Sequence, residues 1–560
     1  MVFRPKLLDT LKGYTRQTFV ADVMSGIIVG IVALPLAIAF GIASGVTPER
    51  GLITAVIAGF IISLLGGSRV QIGGPTGAFI VIVYGIVQQF GTSGLIVATI
   101  MAGVMLIAIG LLKAGSIIKF IPYPVVVGFT SGIALTIFAT QIKDLFGLQI
   151  ADVPADFIDK WIVYGQNIAT IDVWSLGVGV ASIAIIALMP RISKKIPGSL
   201  VAIIVMTLVV WLLREKMGFA GIETIGDRFA LGGMHISAEA PSINWEMVRT
   251  LLAPAFTIAM LGAIESLLSA TVADGVTGDR HDSNTELIAQ GVANVVTPFF
   301  GGIPATGAIA RTMTNINNGG RTPVAGMIHA IVLLLIMLFL GGLTRHIPMA
   351  CLAGVLVVVS YNMSEWRGFR SLLKSSKSDA AVLVATFLLT VIFDLTIAIE
   401  IGLLLAVVLF LKRISEVSTV SMFKREVTGA EYVEGSVDTD KLELPAGVEV
   451  YEIEGPFFFG IANKFDGVMK QVGDKPRVRI IRMRKVPFVD STGAHNLASL
   501  VQASQKEGIT ILLSGVNGSV RSTLRKTGIE ALVGSENILS NIDQAVTRSR
   551  QLIEVEEQEP

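Results

Sequence analysis

Two short stretches have the composition of an anion cradle. One reads Gly73-Gly74-Pro75-Thr76-Gly77-Ala78, the other Gly301-Gly302-Ile303-Pro304-Ala305-Thr306-Gly307-Ala308. Each places Pro and Thr-Gly-Ala just before a short apolar segment. A helix that starts there exposes backbone N–H groups with no intrahelical partner, and with them the positive end of its dipole. Two such starts facing each other hold an anion. Proline at a helix start supplies a helical φ without removing a needed donor. The expected lining is Thr76, Gly77 and Ala78 from one stretch and Thr306, Gly307 and Ala308 from the other. Two charges lie close by in sequences otherwise fit for lipid. Glu265 sits in Ala263-Ile264-Glu265-Ser266-Leu267-Leu268-Ser269, and Arg311 follows Gly307 by one helical turn. Charges at membrane depth are costly and are kept for function or paired. Arg311 is expected to hold a carboxylate or sulfate oxygen. Glu265 would repel an anion unless protonated, which makes it the natural proton-coupling group. A direct Glu265–Arg311 ion pair with no transport role is the alternative, and both readings hold if the pair breaks during a cycle.

Other chemistries find no constellation. There is no phosphate-binding Walker pattern for an ATP-driven pump, and no Ser/His/Asp order or carboxylate pair outside the apolar segments for hydrolysis. Cys351 is the single cysteine, and His329 and His346 lack the neighbours a metal would require. No cofactor, no metal and no catalytic activity are expected. Asp274, Asp279, Arg280, His281 and Asp282 read as a solvated loop. Asn315, Asn317 and Asn318 read as finishing a short helix, Lys143 and Asp144 as interfacial, and Glu400 as a boundary residue.

The elements that must position these residues are membrane spans. The 560 residues have a mean hydropathy of +0.71, and 16% are charged, against roughly 25% in soluble domains. The net charge of +1 offers no basic field for nucleic acid. A span needs about 20 mostly apolar residues. Fourteen segments qualify or nearly so: 21–43, 49–66, 75–89, 93–112, 122–141, 172–190, 197–214, 248–273, 284–299, 306–318, 323–342, 347–361, 379–395 and 397–413. With Arg4, Lys6, Lys12 and Arg16 in the cytoplasm, the inner loops carry Arg69, Lys113, Lys119, Arg191, Lys194, Lys195, Arg280, Arg321, Arg367, Arg370, Lys374 and Lys377. The stretch 143–172 is acidic and falls outside, and an even count returns the C-terminus to the cytoplasm. The first run lacks a cleavage pattern and is expected to be retained. The two Gly-rich stretches open the third and tenth segments. Seven segments separate them, an odd number, so the second copy is inverted in the membrane.

Ala33-Leu34-Pro35-Leu36-Ala37-Ile38-Ala39-Phe40-Gly41-Ile42-Ala43-Ser44-Gly45 resembles the opening motif of the SulP anion transporters, and Gly128-Phe129-Thr130-Ser131-Gly132-Ile133 and Gly320-Arg321-Thr322 resemble that family too. The resemblance implies a seven-plus-seven inverted repeat like that of uracil permeases, a core moving against a gate, substrate between the third and tenth helices, and a homodimer. Sulfate, bicarbonate, chloride and dicarboxylates are carried in the family. The sodium-coupled bicarbonate branch has Asp and Thr where this chain has Glu265 and Ser269, Thr where Ile309 stands, and no counterpart of Arg311. The Glu265-Ser266-Leu267-Leu268 and Arg311 combination, with Gln141-Ile142-Lys143-Asp144-Leu145, is more similar to the proton-linked aerobic C4-dicarboxylate branch.

After residue 415 charge rises and the apolar runs stop. Val448–Ile453, Val478–Met483 and Thr510–Gly515 read as strands, and a helix is expected to begin near Ala494, so residues 447–555 form a small α/β domain. Its Asp490-Ser491-Thr492-Gly493 turn resembles that of STAS domains, where the serine is phosphorylated in the anti-sigma-factor antagonists; Ser491 is thereby a regulatory candidate, or its turn a helix cap. Acyl carrier protein is a partner implied by the same resemblance. The expected organisation is a cytoplasmic segment 1–20, an all-α polytopic transport domain 21–413, a linker 414–446, the STAS domain 447–555 and a tail 556–560, with the acidic run from Glu554 to Glu559 unstructured. The expected function is secondary, proton-coupled transport of a small anion by alternating access in the inner membrane, with C4-dicarboxylates such as succinate or fumarate favoured, or sulfate. A bicarbonate or sulfate transporter or exchanger of the same fold, a passive anion channel, and a scaffold with the STAS domain as output are the alternatives.

Overall fold

The computed structural model describes all residues except 1–2, 116–121, 152, 155, 193–196, 218–220, 230–244, 394, 418, 424–425, 429–440, 460–475 and 557–560. Lys119, Lys194 and Lys195 of the charge pattern, residues 418, 424–425 and 429–440 of the linker and nearly all of the 556–560 tail lie outside the described residues. Two compact units divide the chain, residues 1–406 and 407–560.

The first unit is helical. In chain order it contains α1 (Arg16–Ala43), α2 (Pro48–Leu65), β1 (Gly73–Gly74), α3 (Ile80–Leu111, preceded by a 3-10 turn Gly77–Phe79) and α4 (Tyr123–Phe146). There follow α5 (Phe157–Gln166), α6 (Val173–Ile192), α7 (Gly198–Met217), α8 (Leu252–Thr277), α9 (Ser283–Val296), β2 (Thr306–Gly307) and α10 (Ile309–Asn317). The unit closes with α11 (Pro323–Thr344), α12 (Met349–Met363), α13 (Lys377–Ile392) and the first part of α14 (Leu395–Val417). Every one of the fourteen expected segments has a helical counterpart. The third and fourth run together as α3, joined across Gly91, whose φ of 64° breaks the helix. Eight helices among the described residues are long and apolar enough to cross a membrane. The shorter ones include α9 and α10, and α10 starts only at Ile309, where β2 replaces the helix expected from residue 306.

Packing repeats in pairs. α1 packs on α11 as α8 packs on α3, and α2 packs on α11 as α9 packs on α3. α4 packs on α13 as α12 packs on α6, while α2–α9, α4–α12 and β1–β2 are self-paired. This is the pattern of two copies related by a two-fold axis. It sorts the helices into two groups, α1–α3 with α8–α11 and α4, α6, α7, α12 and α13, which meet along a seam. Within the first group α3 and α9 cross at Gly103 and Gly291. A Cβ on either would fall 2.6–2.7 Å from the other's carbonyl oxygen. Close backbone approach of this kind substitutes dispersion contacts for the hydrophobic drive that lipid does not provide.

The second unit is an α/β domain. Its five-stranded sheet has the order β3 (Thr419–Phe423), β4 (Val448–Glu454), β5 (Val478–Lys485), β6 (Thr510–Ser514) and β7 (Ile538–Leu539); β3 is antiparallel and the others parallel. α15 (Ser491–Lys506) and α16 (Gly518–Lys526) cover one face through Leu497, Val501 and Leu524. α17 (Ile542–Glu556) covers the other through Ile542, Ala545 and Val546. α15 begins three residues before the expected Ala494, because the Asp490 carboxylate accepts the Gly493 N–H at 2.7 Å and caps the helix. α17 runs through Glu556, which corrects the expectation of an unstructured stretch from Glu554: Leu552 and Ile553 pack on the sheet and carry the helix onward.

Candidate functional site

β1 and β2 cross antiparallel, Gly73 opposite Gly307 and Gly74 opposite Thr306. The two Gly-rich stretches therefore meet back to back, and α3 and α10 leave the crossing in opposite directions. Buried polar groups hold both approach loops. Glu286 on α9, fully buried, accepts the Gly67 and Ser68 N–H groups at 2.9 and 3.1 Å and the side-chain amides of Gln71 and Gln290 at 3.1 and 2.8 Å. On the other side the Ile303 N–H donates to Thr54 Oγ1 at 2.7 Å, and the Asn294 side chain bonds both backbone groups of Ala305 at 2.8 Å. Asn315 does not finish its own helix: its amide donates to the Val70 carbonyl at 2.8 Å, and its Oδ1 accepts the Ser25 hydroxyl at 2.7 Å. Asp22, fully buried on α1, accepts the Arg321 N–H at 2.9 Å and the Thr322 hydroxyl at 2.5 Å, fixing the start of α11.

A cavity of about 370 Å³ lies where this crossing faces the second helix group. Thr76, Gly77, Ala78, Glu265, Ala308, Ile309, Ala310 and Arg311 line one side, and Val126, Phe129, Thr130, Val359, Asn362 and Met363 the other. Thr76 donates its hydroxyl to Glu265 Oε2 at 2.8 Å. Arg311, 2% exposed, directs its guanidinium at the Gly73 carbonyl, 3.5 Å away, and at the Pro75 carbonyl. It packs against Gly74, whose φ of 148° and missing Cβ make room for it. The side chain of the second half-helix thus reaches across to the first stretch. Among the described residues no ion pair joins Glu265 and Arg311. Each has taken a neutral partner instead, and both face the cavity.

The half-helix starts are uncapped by side chains: neither Thr76 nor Ala308 makes a side-chain cap bond. In the second stretch three expected positions are redirected. Thr306 is fully buried and donates to the Gly262 carbonyl at 3.0 Å, with the Ser266 hydroxyl 2.6 Å from its Oγ1. Gly307 N–H donates to Ser266 Oγ at 3.2 Å, and Ala308 N–H to the Ile72 carbonyl at 2.9 Å. These amides are committed to the crossing, so the amides that open α10 toward the cavity are those of Ile309 and Ala310. Composition alone did not single out Glu286, Asp22, Asn294 or Ser266. The signal for the first two was a lone carboxylate inside an apolar run. Ser491 is exposed in the first turn of α15, beside its cap Asp490.

A helical membrane unit in paired repeats, with a charged cavity at two broken helices, defines a multi-pass membrane transporter. The chain belongs to the sulfate permease family, whose model matches residues 19–386, with a STAS domain matched over 441–545. It is 40% identical to "Putative sulfate transporter YvdB" of Bacillus subtilis over 95% of this chain and 98% of that one. It is 30% identical to the "Bicarbonate transporter BicA" of Picosynechococcus over 94% of each. The structure of SLC26A9 superposes with a TM-score of 0.83, covering 99% of this chain and 93% of the other at 18% identity, a likeness of fold. These relatives are anion transporters, and anion transport is what this chain does.

Proposed function

We propose that the chain is a secondary transporter working by alternating access, which carries a small divalent anion together with protons. C4-dicarboxylates such as succinate and fumarate are favoured, with sulfate next. The observation that carries this reading is the juxtaposition in one cavity of Arg311, two uncapped half-helix starts and Glu265. Gly77 and Ala78 from one side and Ile309 and Ala310 from the other would offer N–H groups to the anion, and Arg311 the charge-assisted bond. Thr306, Gly307 and Ala308 would serve by fixing the crossing, and Thr76 by holding Glu265. A protonated Glu265 admits the anion and an ionised one opposes it, which couples the two fluxes. The apolar wall of Val126, Phe129 and Met363 suits the carbon chain of a dicarboxylate. The relatives' names favour a second reading, sulfate or bicarbonate transport through the same site without proton coupling. Inner-membrane placement with both termini in the cytoplasm, homodimeric assembly, and control through Ser491 or an acyl carrier protein at the STAS domain complete the proposal.

The test is uptake of labelled succinate, sulfate and bicarbonate into proteoliposomes, with and without an inward proton gradient, for wild type and Glu265→Gln. Succinate accumulation above equilibrium that needs the gradient and loses it in Glu265→Gln supports the reading and removes the channel alternative. Sulfate or bicarbonate uptake indifferent to pH and to the substitution retains anion transport and discards the dicarboxylate and the proton.

A further inference from the structure

α5 is oriented against its own hydrophobicity. Ile158, Trp161 and Ile162 are 57%, 40% and 52% exposed, while Lys160 is 1% exposed. A soluble helix would turn the other way. Lys160 instead points into a cavity of about 200 Å³, walled by Tyr84 and Gln89 of α3, Thr136 and Thr140 of α4 and Thr390 of α13. Its ammonium lies 5.8 Å from the centre of the Tyr84 ring. Among the described residues no carboxylate comes within 4.0 Å of it, and it makes no hydrogen bond. Asp156 shares the cavity but stays beyond ion-pair contact, so the buried ammonium faces open space with no acceptor bound to it.

The cavity lies on the same seam as the central site. α3 opens the central site at Gly77 and reaches the second cavity at Tyr84 and Gln89; α4 lines the first with Phe129 and Thr130 and the second with Thr136 and Thr140. On α3 the two cavities adjoin, the second starting at Ile80 just past Ala78, while on α4 the step from Thr130 to Thr136 is roughly 9 Å at 1.5 Å per residue. We propose that Lys160 heads a second site on this seam, where the transported oxyanion binds on its way between the α5 side of the membrane and the half-helix starts. The inference rests on the transport reading above. Gln89 adds an amide donor. The outward Trp161 and Ile162 set α5 at the lipid interface and hold the lysine inward. Burial holds the Lys160 ammonium down at about 8, with Asp156 opposing that shift. The charged form therefore prevails below pH 8 and fades above it. Besides Asp156, the titratable groups facing Lys160 are Tyr84 across the cavity and Tyr164 one turn along α5; α4 and α13 present threonines only.

Acylation of Lys160 by acetic anhydride in the full-length protein, read by peptide mass spectrometry, tests the site without relying on transport. Sulfate is expected to slow it at least about fivefold; no protection, or no acylation at all, overturns the proposal. In oriented vesicles, Lys160→Gln is expected to raise the sulfate KM about tenfold from the α5 side and not from the other, with Lys160→Arg restoring it. The wild-type KM should climb above pH 8, and that climb should vanish in Lys160→Arg. An equal KM shift at both faces, or a climb that persists with arginine, sinks the site. Should the substituted proteins fail to fold, acylation and the wild-type pH profile decide. Failure of the transport reading is distinct: wild type then takes up no anion, while protection of Lys160 is still measured.

Discussion

Glu286 never touches the cavity, yet the position of β1 depends on it. Its two oxygens accept four donors, three of them from the loop that leads into Gly73. Removing the acceptor leaves buried donors unsatisfied, at about 1–3 kcal/mol each. Glu286→Ala is expected to lower the melting temperature of the purified protein and to erase the upward shift that added sulfate or succinate produces. Glu286→Gln, which keeps one acceptor, should fall between. A melting curve and ligand shift equal to wild type in Glu286→Ala would remove the loop's dependence on this residue.

Helix crossings make their own demand. Gly103 and Gly291 stand carbonyl against Cα, with no room for a side chain on either. Gly291→Leu must separate α3 from α9 and move both approach loops with them. It is expected to abolish uptake and broaden the size-exclusion peak in detergent. Gly177→Ala on α6, where a Cβ meets nothing within 4 Å, should leave both as they are; equal damage from the two would mean that glycine matters here for some other reason than contact. The elements were legible in the sequence wherever hydropathy alone made them: all fourteen segments, the odd offset of the repeat, and the strand–helix alternation of the second unit. What stayed hidden was tertiary. No local pattern says that Gly307 and Ala308 would spend their amides on Ser266 and Ile72, that Asn315 would reach Val70, or that Lys160 would turn inward. Glu265 and Arg311 were legible because a charge inside an apolar run is conspicuous whatever it touches. Asp22 and Glu286 carried the same signal, and their roles became visible only with the loops they hold.

Across the whole molecule, every residue lining the central cavity belongs to the unit 1–406. A chain ending after Val417 should therefore keep anion-dependent thermal stabilisation even if its assembly and turnover suffer. A truncated protein that folds as a helical membrane protein and no longer responds to anion would place part of the site in the second unit.

The two copies of the repeat share a scaffold but not their charges. Glu265, Arg311 and Glu365, the charged residues that line the central cavity among the described residues, all stand in the second copy, and α1 and α3 bring no charge to it. Exchanging the conformations of the two copies would turn the cavity toward the opposite face, but it would not return an identical binding pocket. The two faces of the membrane are therefore expected to show unequal half-saturation, one tight and one loose. That inequality cannot make the protein a one-way valve. Microscopic reversibility ties it to a compensating inequality in turnover, so net flow stops where the combined electrochemical gradients of anion and coupled ion balance, wherever the charges sit.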